Sequence, residues 1–348
     1  MRAVALRAGE LLVRDDIEEP KPDFGQVLVQ VKACGICGSD LHFAKHGGDM
    51  LELGSQMGGI PAIAEAMRPD MGRDIFMGHE FSAEVLESGP DTTGPKPGTI
   101  VTSIPIMLTM TGIRDLTYSN ELPSGYGERM LLSVPMLVEV PNGLDPRHAA
   151  LTEPMAVGLH AVNRSEIKPG EGALVLGCGP VGQAVIAALK LKGIEPIVAS
   201  DFSPARRALA LTMGAHEAVD PAVEPAFDAW ARVGGAKALH VYEAIGVPGI
   251  INEAMRAAPP QTRVTVVGVC MQPDAITPFF GIAKELRVQF VLGYDPMEFA
   301  GSLRSIAEGD IDVAPLITGE VGLDGVPGAF AALGNPDDHC KILVLPNS

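Results

Sequence analysis

Cysteine is scarce in this chain, and its count is odd. Five cysteines are spread over 348 residues, unlike the dense, paired cysteines of small disulfide-stabilised secreted domains. The first residues, MRAVALRAGELLVRDD, lack the uninterrupted apolar core of a secretory signal. We therefore expect free thiols and a cytoplasmic location.

A continuous apolar run long enough to cross a membrane is also missing. The most apolar stretch, GALVLGCGPVGQAVIAALKLKG, is interrupted by Gly, Pro and Gln, and a buried strand followed by a helix explains it better than a membrane span. Positive charge is in deficit, since 26 Lys and Arg face 43 Asp and Glu, for a net charge of −17. Such a charge repels nucleic acid and anionic lipid, so we expect neither as a partner.

The length is about right for two domains, and the pattern changes between the two parts of the chain. In the first 155 residues QVLVQVKA alternates, with Val27, Val29 and Val31 on one face. FSAEVLESG, GTIVTSIPI and ERMLLSV are further short strand candidates between Gly and Pro breaks. This part is predicted to be a compact β domain.

From about residue 170, apolar strand candidates alternate with helical segments. ALVLG, EPIVASD, HEAVD, ALHVYEAIG, TRVTVVGV and LRVQFVLGY are predicted strands. One of the predicted helices, SPARRALALTMG, has Ser203 as N-cap, Pro204 in its first turn and Gly214 as terminator. Such alternation predicts a parallel, doubly wound sheet.

The segment GCGPVG at 177–182 is a G-x-G-x-x-G between a predicted strand and a predicted helix, which is the context of a dinucleotide-binding turn. Gly177 permits the tight turn, Gly179 lets the backbone approach a pyrophosphate, and Gly182 lets helix and strand pack closely. The helix N-terminus offers free N–H groups to the phosphates. A glycine turn without a ligand is the structural alternative.

Asp201 ends the second predicted strand of this half. A carboxylate there accepts hydrogen bonds from the ribose hydroxyls and repels a 2′-phosphate, which favours NAD over NADP. Arg206 and Arg207 are nearby cations that favour NADP instead, unless they only solvate the exposed side of a helix. The other residues that we assign to the cofactor site are Pro180, Val181, Gly246, Val267, Gly268, Val269 and Leu292.

Three separated pieces, CGICGSDLH, GHE at 78–80 and TEPMAVGLH at 152–160, contain possible metal ligands. Cys37, His79 and Glu153 can supply S, N and O donors, and three protein ligands plus an open position is the catalytic form of a zinc site. The spacing alone does not show that they converge. Cys34 and Cys37 also form a C-x-x-C, but a redox pair needs that motif at a helix start beside a sheet. Here the motif follows a predicted strand of the β domain, so Cys34 is expected to be a small buried residue.

Several segments occur in the order found in zinc-dependent medium-chain alcohol and polyol dehydrogenases, which the chain resembles from about residue 1 to its end. They are GICGSDLH, GHEFSAEVLESG, GYGERMLLS, EPMAVGLHAV, GCGPVGQAVIAALK and SDFSPARRALA. The sorbitol and threonine dehydrogenase branch is the more similar one, because Glu153-Pro154 stands where the classical alcohol dehydrogenases carry a cysteine ligand.

This resemblance implies an α/β fold with a GroES-like β-rich catalytic domain (1–155 and 298–348) and a Rossmann domain (156–297) with a doubly wound parallel sheet. It implies that Cys37, His79 and Glu153 hold the catalytic zinc, with Glu80 as the reserve ligand.

The resemblance also implies a proton relay through Ser39 and His42. Asp40 then orients a ligand histidine, or only stabilises its turn. Relatives form homodimers or homotetramers, often by pairing the edge strands of the Rossmann sheets, here LRVQFVLGY.

Two departures from the family pattern stand out. Residues 81–177 contain no cysteine, so the second, structural zinc of many relatives should be absent. The segment between Cys37 and His79 is longer than in the family and is rich in methionine. It is expected either to form a lid or wall for a bulky or apolar alcohol, or to pack on the domain surface or at a subunit contact. PAIAEAMRP within it is a predicted short helix.

We expect a zinc-dependent, NAD-linked dehydrogenase of a secondary alcohol or polyol. The alternatives are a zinc-free, NADPH-linked enone or quinone reductase of the same superfamily and a non-catalytic dinucleotide-binding protein. The three ligand positions and Asp201 argue against the reductase, and the retained Ser39 and His42 argue against a non-catalytic protein.

Overall fold

The computed structural model describes residues 1–56, 68–110, 112–335 and 337–348, and the chain divides into two units. The first unit comprises Met1–Glu153, Ile317–Asn335 and Lys341–Ser348. The second comprises Pro154–Leu316 and a short stretch that ends at Cys340. Both ends of the chain therefore belong to the first unit.

The first unit is built mainly of strands. They are β1 (Ala3–Arg7), β2 (Glu10–Arg14), β3 (Gln26–Gly35), β4 (Ile75–Met77), β5 (Glu80–Ser88), β6 (Ile100–Ser103), β7 (Ile106–Thr109), β8 (Gly112–Asp115), β9 (Tyr118–Ser119), β10 (Arg129–Ser133), β11 (Leu137–Glu139), β18 (Ile317–Val321) and β19 (Lys341–Val344). Its described helices are α1 (Gly38–Gln56), α2 (Pro146–Ala149) and α10 (Val326–Ala332).

Two main sheets organise most of these strands, and β7 and β8 form a third sheet of their own. The larger has the order β11-β6-β5-β3-β19-β18, with β10 also paired to β3, and the smaller has the order β2-β1-β4-β9. The strand β3 is the predicted QVLVQVKA, and Val27, Val29 and Val31 on its inner face are fully buried. Alternation along β3 thus supplies a row of the core of this unit.

Helix α1 follows β3 directly and was not predicted. It is kinked at His46, whose φ of −133° is not helical. Within the methionine-rich segment, Met50 and Met71 pack against the core of the first unit and Met77 is buried in β4. The predicted helix PAIAEAMRP falls almost entirely on residues 57–67, which lie outside the described residues.

The second unit contains a six-stranded parallel sheet in the order β14-β13-β12-β15-β16-β17, as predicted. Its strands are β12 (Gly172–Leu176), β13 (Ile197–Ser200), β14 (Glu217–Val219), β15 (Leu239–Glu243), β16 (Arg263–Val266) and β17 (Arg287–Phe290). Its described helices are α3 (Thr152–Arg164, whose first residues belong to the first unit), α4 (Pro180–Leu191), α5 (Pro204–Met213), α6 (Ala226–Gly234), α7 (Ile250–Ala257), α8 (Pro278–Lys284) and α9 (Pro296–Ala307).

Local signals explain the ends of helix α5. The Ser203 side chain accepts a hydrogen bond from the Arg206 N–H at its N-terminus, which satisfies one of the free donors there. Gly214, with a φ of 126°, ends the helix, in a conformation that favours glycine.

Helix α9 lies in the second unit, although the sequence led us to expect a return to the catalytic domain at residue 298. The carboxylate of Glu298 on this helix accepts a hydrogen bond from Asn163 (2.7 Å) and lies 2.7 Å from His160 Nδ1, both on α3. These contacts tie α9 to the second unit, and the chain returns to the first unit only at Ile317.

Candidate active site

The end of β3 and the start of β5 bring together a cluster of possible metal ligands in the first unit. Donor atoms of Cys37, His79 and Glu80 all lie within 4.8 Å of one another. In β3 and β5, Gly35 is paired with Glu80, and a Cβ on Gly35 would come within 2.0 Å of Glu80 Oε2. Glycine at position 35 is therefore what lets the carboxylate of Glu80 reach the cluster.

This donor set fits zinc. Zinc is held by sulfur, nitrogen and oxygen donors at about 2.0–2.3 Å, so donors on one ion lie roughly 3–4 Å apart. The cluster supplies one donor of each kind within that order of distance. The buried His79 Nδ1 also makes no hydrogen bond among the described residues.

Asp40 is fully buried beside this cluster. Its Oδ2 accepts hydrogen bonds from the Cys37 N–H (3.1 Å) and from the hydroxyl of Tyr126 (2.6 Å), and its Oδ1 lies 3.4 Å from His79 Nδ1. Burial lowers the pKa of His79, but the negative charges of Asp40 and Cys37 outweigh it and raise that pKa well above its usual value. The carboxylate of Asp40 thus binds the Cys37 backbone and lies against the Nδ1 edge of the His79 ring.

Glu80 has a buried partner of opposite charge. Both of its carboxylate oxygens accept hydrogen bonds from Lys341 Nζ at 2.7 Å, and the same ammonium donates to the Ile36 carbonyl at 3.0 Å. Glu80 and Lys341 are both almost completely buried. The negative charge of Glu80 is therefore compensated inside the protein.

Glu153, the predicted third ligand, is half-buried in the first turn of α3. Among the described residues, the cluster that meets the distance criterion contains Glu80 and not Glu153. Two of the three predicted ligands and the reserve ligand are thus brought together.

The predicted relay residues both lie on α1, immediately after Cys37. Ser39 is half-buried and His42 is exposed. Burial of its ring, and then the positive charges of His46 and Lys45, lower the pKa of His42. A neutral imidazole is therefore favoured near pH 7, and it can accept a proton.

Tyr118 was not anticipated from the sequence. It lies in β9, paired with Met77 of β4, and its ring stacks on Phe43 with centroids 3.9 Å apart and an interplanar angle of 9°. Burial and then the charge of Asp40 raise its pKa well above the usual value, whereas the hydroxyl of Ser39 acts in the opposite direction. Tyr118 is thus a neutral phenol next to Ser39.

In the second unit, the three glycines of the G-x-G-x-x-G have different surroundings. Gly177 has a φ of 91°, which favours glycine. A Cβ on Gly182 would come within 2.0 Å of the Gly177 carbonyl oxygen. A Cβ on Gly179, the N-cap of α4, would have only Arg206 Nη1 near it, at 3.7 Å, so open space lies above this turn.

The carboxylate of Asp201 is fixed at the same end of the sheet by two backbone donors. Oδ2 accepts from the Cys178 N–H (2.7 Å) and Oδ1 from the Ser203 N–H (2.8 Å). Asp201, Gly177 and Arg206 line a cavity of about 840 Å³ within the second unit. A cavity of that size can take part of a dinucleotide.

Gly246, Gly268 and Val269, which were assigned to the cofactor site, lie close to one another. Gly246 has a φ of 72°, and a Cβ on it would come within 3 Å of the Val269 backbone. A Cβ on Gly268 would come within 2.4 Å of the Gly246 nitrogen. Val267 is buried, whereas Leu292 is 86% exposed after the end of β17.

Cys34, the other cysteine of the C-x-x-C, and Cys178, inside the glycine turn, are both buried and free. Burial raises the pKa of the Cys34 thiol well above its usual value and that of Cys178 to about 12. Neither thiol is a ready nucleophile.

The family of the chain follows from its similarity to known proteins. Residues 23–142 match the alcohol dehydrogenase GroES-like domain, and residues 180–308 match the zinc-binding dehydrogenase domain. The chain is 32% identical over 347 residues to (R,R)-butanediol dehydrogenase of Bacillus subtilis, with 96% of each chain covered. It belongs to the zinc-binding alcohol dehydrogenase family.

Other comparisons agree with this assignment. The crystal structure of 2R,3R-butanediol dehydrogenase from Bacillus subtilis has a TM-score of 0.82 at 31% identity, with 99% of each chain covered. A 2-dehydro-3-deoxy-L-galactonate 5-dehydrogenase of Pseudoalteromonas atlantica is 30% identical over 340 residues, covering 94% of this chain and 93% of that protein.

The expected GroES-like and Rossmann fold of a medium-chain dehydrogenase is confirmed. This zinc-binding alcohol dehydrogenase is an oxidoreductase. A nicotinamide cofactor is supported by the NADP-bound structure of a zinc-binding dehydrogenase from Sinorhizobium meliloti, with a TM-score of 0.80 at 27% identity and 99% of each chain covered. Among the described helices, none combines the length and the apolar character that a membrane crossing requires.

Proposed function

We propose that the protein catalyses the reversible, zinc-dependent and NAD-linked oxidation of a secondary alcohol or polyol to a ketone. The convergence of Cys37 and His79, with the carboxylate of Glu80 beside them, carries this proposal, because sulfur and nitrogen donors next to a carboxylate are typical of a zinc site. The relatives named for butanediol and galactonate oxidation support the same substrate class.

Bound zinc would supply a Lewis acid for the alcohol oxygen, and a bound nicotinamide would supply the hydride acceptor. Cys37 and His79 hold the metal, and Asp40 fixes the orientation of His79. Ser39 Oγ takes the alcohol proton. The exposed His42, with its lowered pKa, passes a proton to solvent.

We propose Glu153 as the third resting ligand, with Glu80 as a nearby carboxylate that can approach the metal. Lys341 supports this assignment, because it occupies both oxygens of Glu80. One zinc per chain is proposed, since residues 81–177 contain no cysteine for the structural site of many relatives.

NAD is the proposed cofactor. The fixed carboxylate of Asp201 lines the second-unit cavity, where it repels a 2′-phosphate. The guanidinium of Arg207 forms an ion pair with Asp220, with Nη1 and Oδ2 3.2 Å apart. It also donates a hydrogen bond to the Asp201 carbonyl oxygen at 2.8 Å, so it is already engaged within the protein. Arg206 remains beside the glycine turn, where it can pair with the pyrophosphate.

The deciding experiment combines metal analysis with a screen of NAD and NADP reduction over vicinal diols, polyols, sugar acids and simple secondary alcohols. We expect about one zinc per chain and NAD-dependent turnover of at least one secondary alcohol. Cys37→Ala should lose both zinc and activity, because a ligand is removed. The matched control is Cys34→Ala, which removes a buried, free thiol and should keep both. If Cys37→Ala kept its zinc and full activity, the site assignment would be wrong.

A further inference from the structure

Tyr118 carries a polar group that none of the roles above uses. Its hydroxyl is buried and makes no hydrogen bond of acceptable geometry among the described residues. Leaving a buried phenol without a partner costs free energy, so such a group calls for an explanation. The stacking on the fully buried Phe43 fixes the ring and therefore also the position of its oxygen.

Ser39 is the hydroxyl that lies beside this oxygen. The Tyr118 ring stacks on Phe43, and Phe43 follows Ser39 by one helical turn on the same face of α1. The Ser39 hydroxyl also acts on the pKa of Tyr118, in agreement with this placement. The two hydroxyls are thus neighbours without a well-formed hydrogen bond. Hydrogen bonds in active sites are often long before substrate binds and shorten in the substrate complex.

We propose that Tyr118 is a positioning residue for Ser39, whose Oγ accepts a hydrogen bond from the phenol when an alcohol is bound. A serine hydroxyl has two acceptor positions and one donor. With one acceptor position filled by Tyr118, the other accepts the alcohol O–H, and the Ser39 proton is left to point along the relay. One proton enters Oγ and one leaves it, so the direction of transfer is set.

This inference rests on the role of Ser39 in the proposed function and adds a residue to it. The Tyr118 hydroxyl is buried, so its proposed action is on Ser39 and not on the alcohol. Its removal should therefore slow the chemical step and leave the binding of substrate and cofactor unchanged.

The test is a double-mutant cycle in the zinc-loaded enzyme, with kcat and KM measured for the best alcohol of the screen. Tyr118→Phe retains the stacked ring and should lower kcat about 5–30-fold, with both KM values changed less than about twofold. Ser39→Ala should lower kcat by about 100-fold or more, as expected for loss of a proton-transfer group. In the Ser39→Ala background, Tyr118→Phe should have less than about a twofold effect.

A matched control removes another buried tyrosine hydroxyl that lies next to a serine. Tyr242 Oη lies 2.7 Å from Ser165 Oγ in the second unit, and Tyr242→Phe should leave kcat unchanged. Phe43→Leu removes the stacking partner and should lower kcat in the same direction as Tyr118→Phe, with no further effect in the Ser39→Ala background.

Each outcome decides the matter. Full kcat in Tyr118→Phe, or effects of Tyr118→Phe and Ser39→Ala that simply multiply, would overturn the positioning role while leaving the proposed function intact. Full kcat in Ser39→Ala would overturn both the relay and the positioning role. A wild-type protein that holds zinc and oxidises no alcohol would instead contradict the proposed function.

Discussion

At the scale of single residues, Lys341 supplies the buried counter-charge of Glu80 beside the proposed metal site. Neither side chain has appreciable contact with solvent, and Lys341 Nζ is shared between the two oxygens of Glu80 and the Ile36 carbonyl. Removing one partner of a buried pair leaves the other charge without compensation, which is more costly than removing both partners.

We therefore expect Lys341→Met to lower the free energy of unfolding by about 3–5 kcal/mol, measured by chemical denaturation. Adding Glu80→Gln should recover much of this loss, because the uncompensated charge is then gone. The control is Lys32→Met, which breaks the partly exposed ion pair with Glu84 (3.1 Å) and should cost less than about 1 kcal/mol. Equal losses for Lys341→Met and Lys32→Met would contradict the importance of burial.

At the scale of elements, two glycines of the G-x-G-x-x-G turn between β12 and α4 have different functions, one in helix packing and one in phosphate binding. At Gly182 a side chain would collide with the Gly177 carbonyl, whereas at Gly179 it would enter open space. Gly182 is therefore needed for packing the helix against the turn, and Gly179 for the approach of a phosphate.

Gly182→Ala should lower the melting temperature of the protein by several degrees, because the helix must move away from β12. Gly179→Ala should leave the melting temperature within about 2 °C and weaken NAD binding by about tenfold or more, since a methyl group then occupies the place of a phosphate oxygen. Calorimetric melting and titration of NAD measure the two effects. The separation fails if Gly179→Ala binds NAD normally.

At the scale of the whole molecule, the edge of the second-unit sheet at β17 is apolar. Phe290 at its end is 69% exposed, and Phe279 and Ile282 on the preceding helix α8 are exposed as well. An exposed strand edge with apolar side chains favours pairing with another chain. We propose that two copies associate through this edge, as the resemblance to the dehydrogenase family led us to expect.

Phe290→Asp should convert a dimer to a monomer in analytical ultracentrifugation, because a charge at the interface must then be desolvated. The control is Val223→Asp, at a residue that is 84% exposed just after β14, the opposite edge strand. Val223→Asp should keep the association state of the wild type. An unchanged dimer in Phe290→Asp would place the interface elsewhere.

The sequence predicted the second unit better than the first, for a physical reason. The strands and helices of a parallel α/β sheet follow one another in the chain, and their turns have local signals such as Ser203 and Gly214. The position of α9 was missed, because its Glu298 binds residues of α3 that lie 135 and 138 residues earlier.

Within the candidate site, single motifs indicated Cys37, His79 and Asp40, but not Tyr126 and Lys341. Tyr126 reaches Asp40 across 86 residues, and Lys341 reaches Glu80 across 261. A lysine or a tyrosine that far away has no periodicity or motif to mark it. The register of β3 with β5 and β19 is what brings Lys341 to Glu80.

The insertion of β19 beside β3 has a consequence for biosynthesis. The ribosome makes Lys341 long after Cys37, His79 and Glu80. By the time Lys341 is added, all strands of the second unit, β12 to β17, have been synthesised. The nascent first unit thus has a carboxylate without its counter-charge and a sheet with a missing strand. Stable capture of zinc is expected to be a late, post-translational event, and a chain cut short before Lys341 should be a target for proteolysis rather than a weakened enzyme.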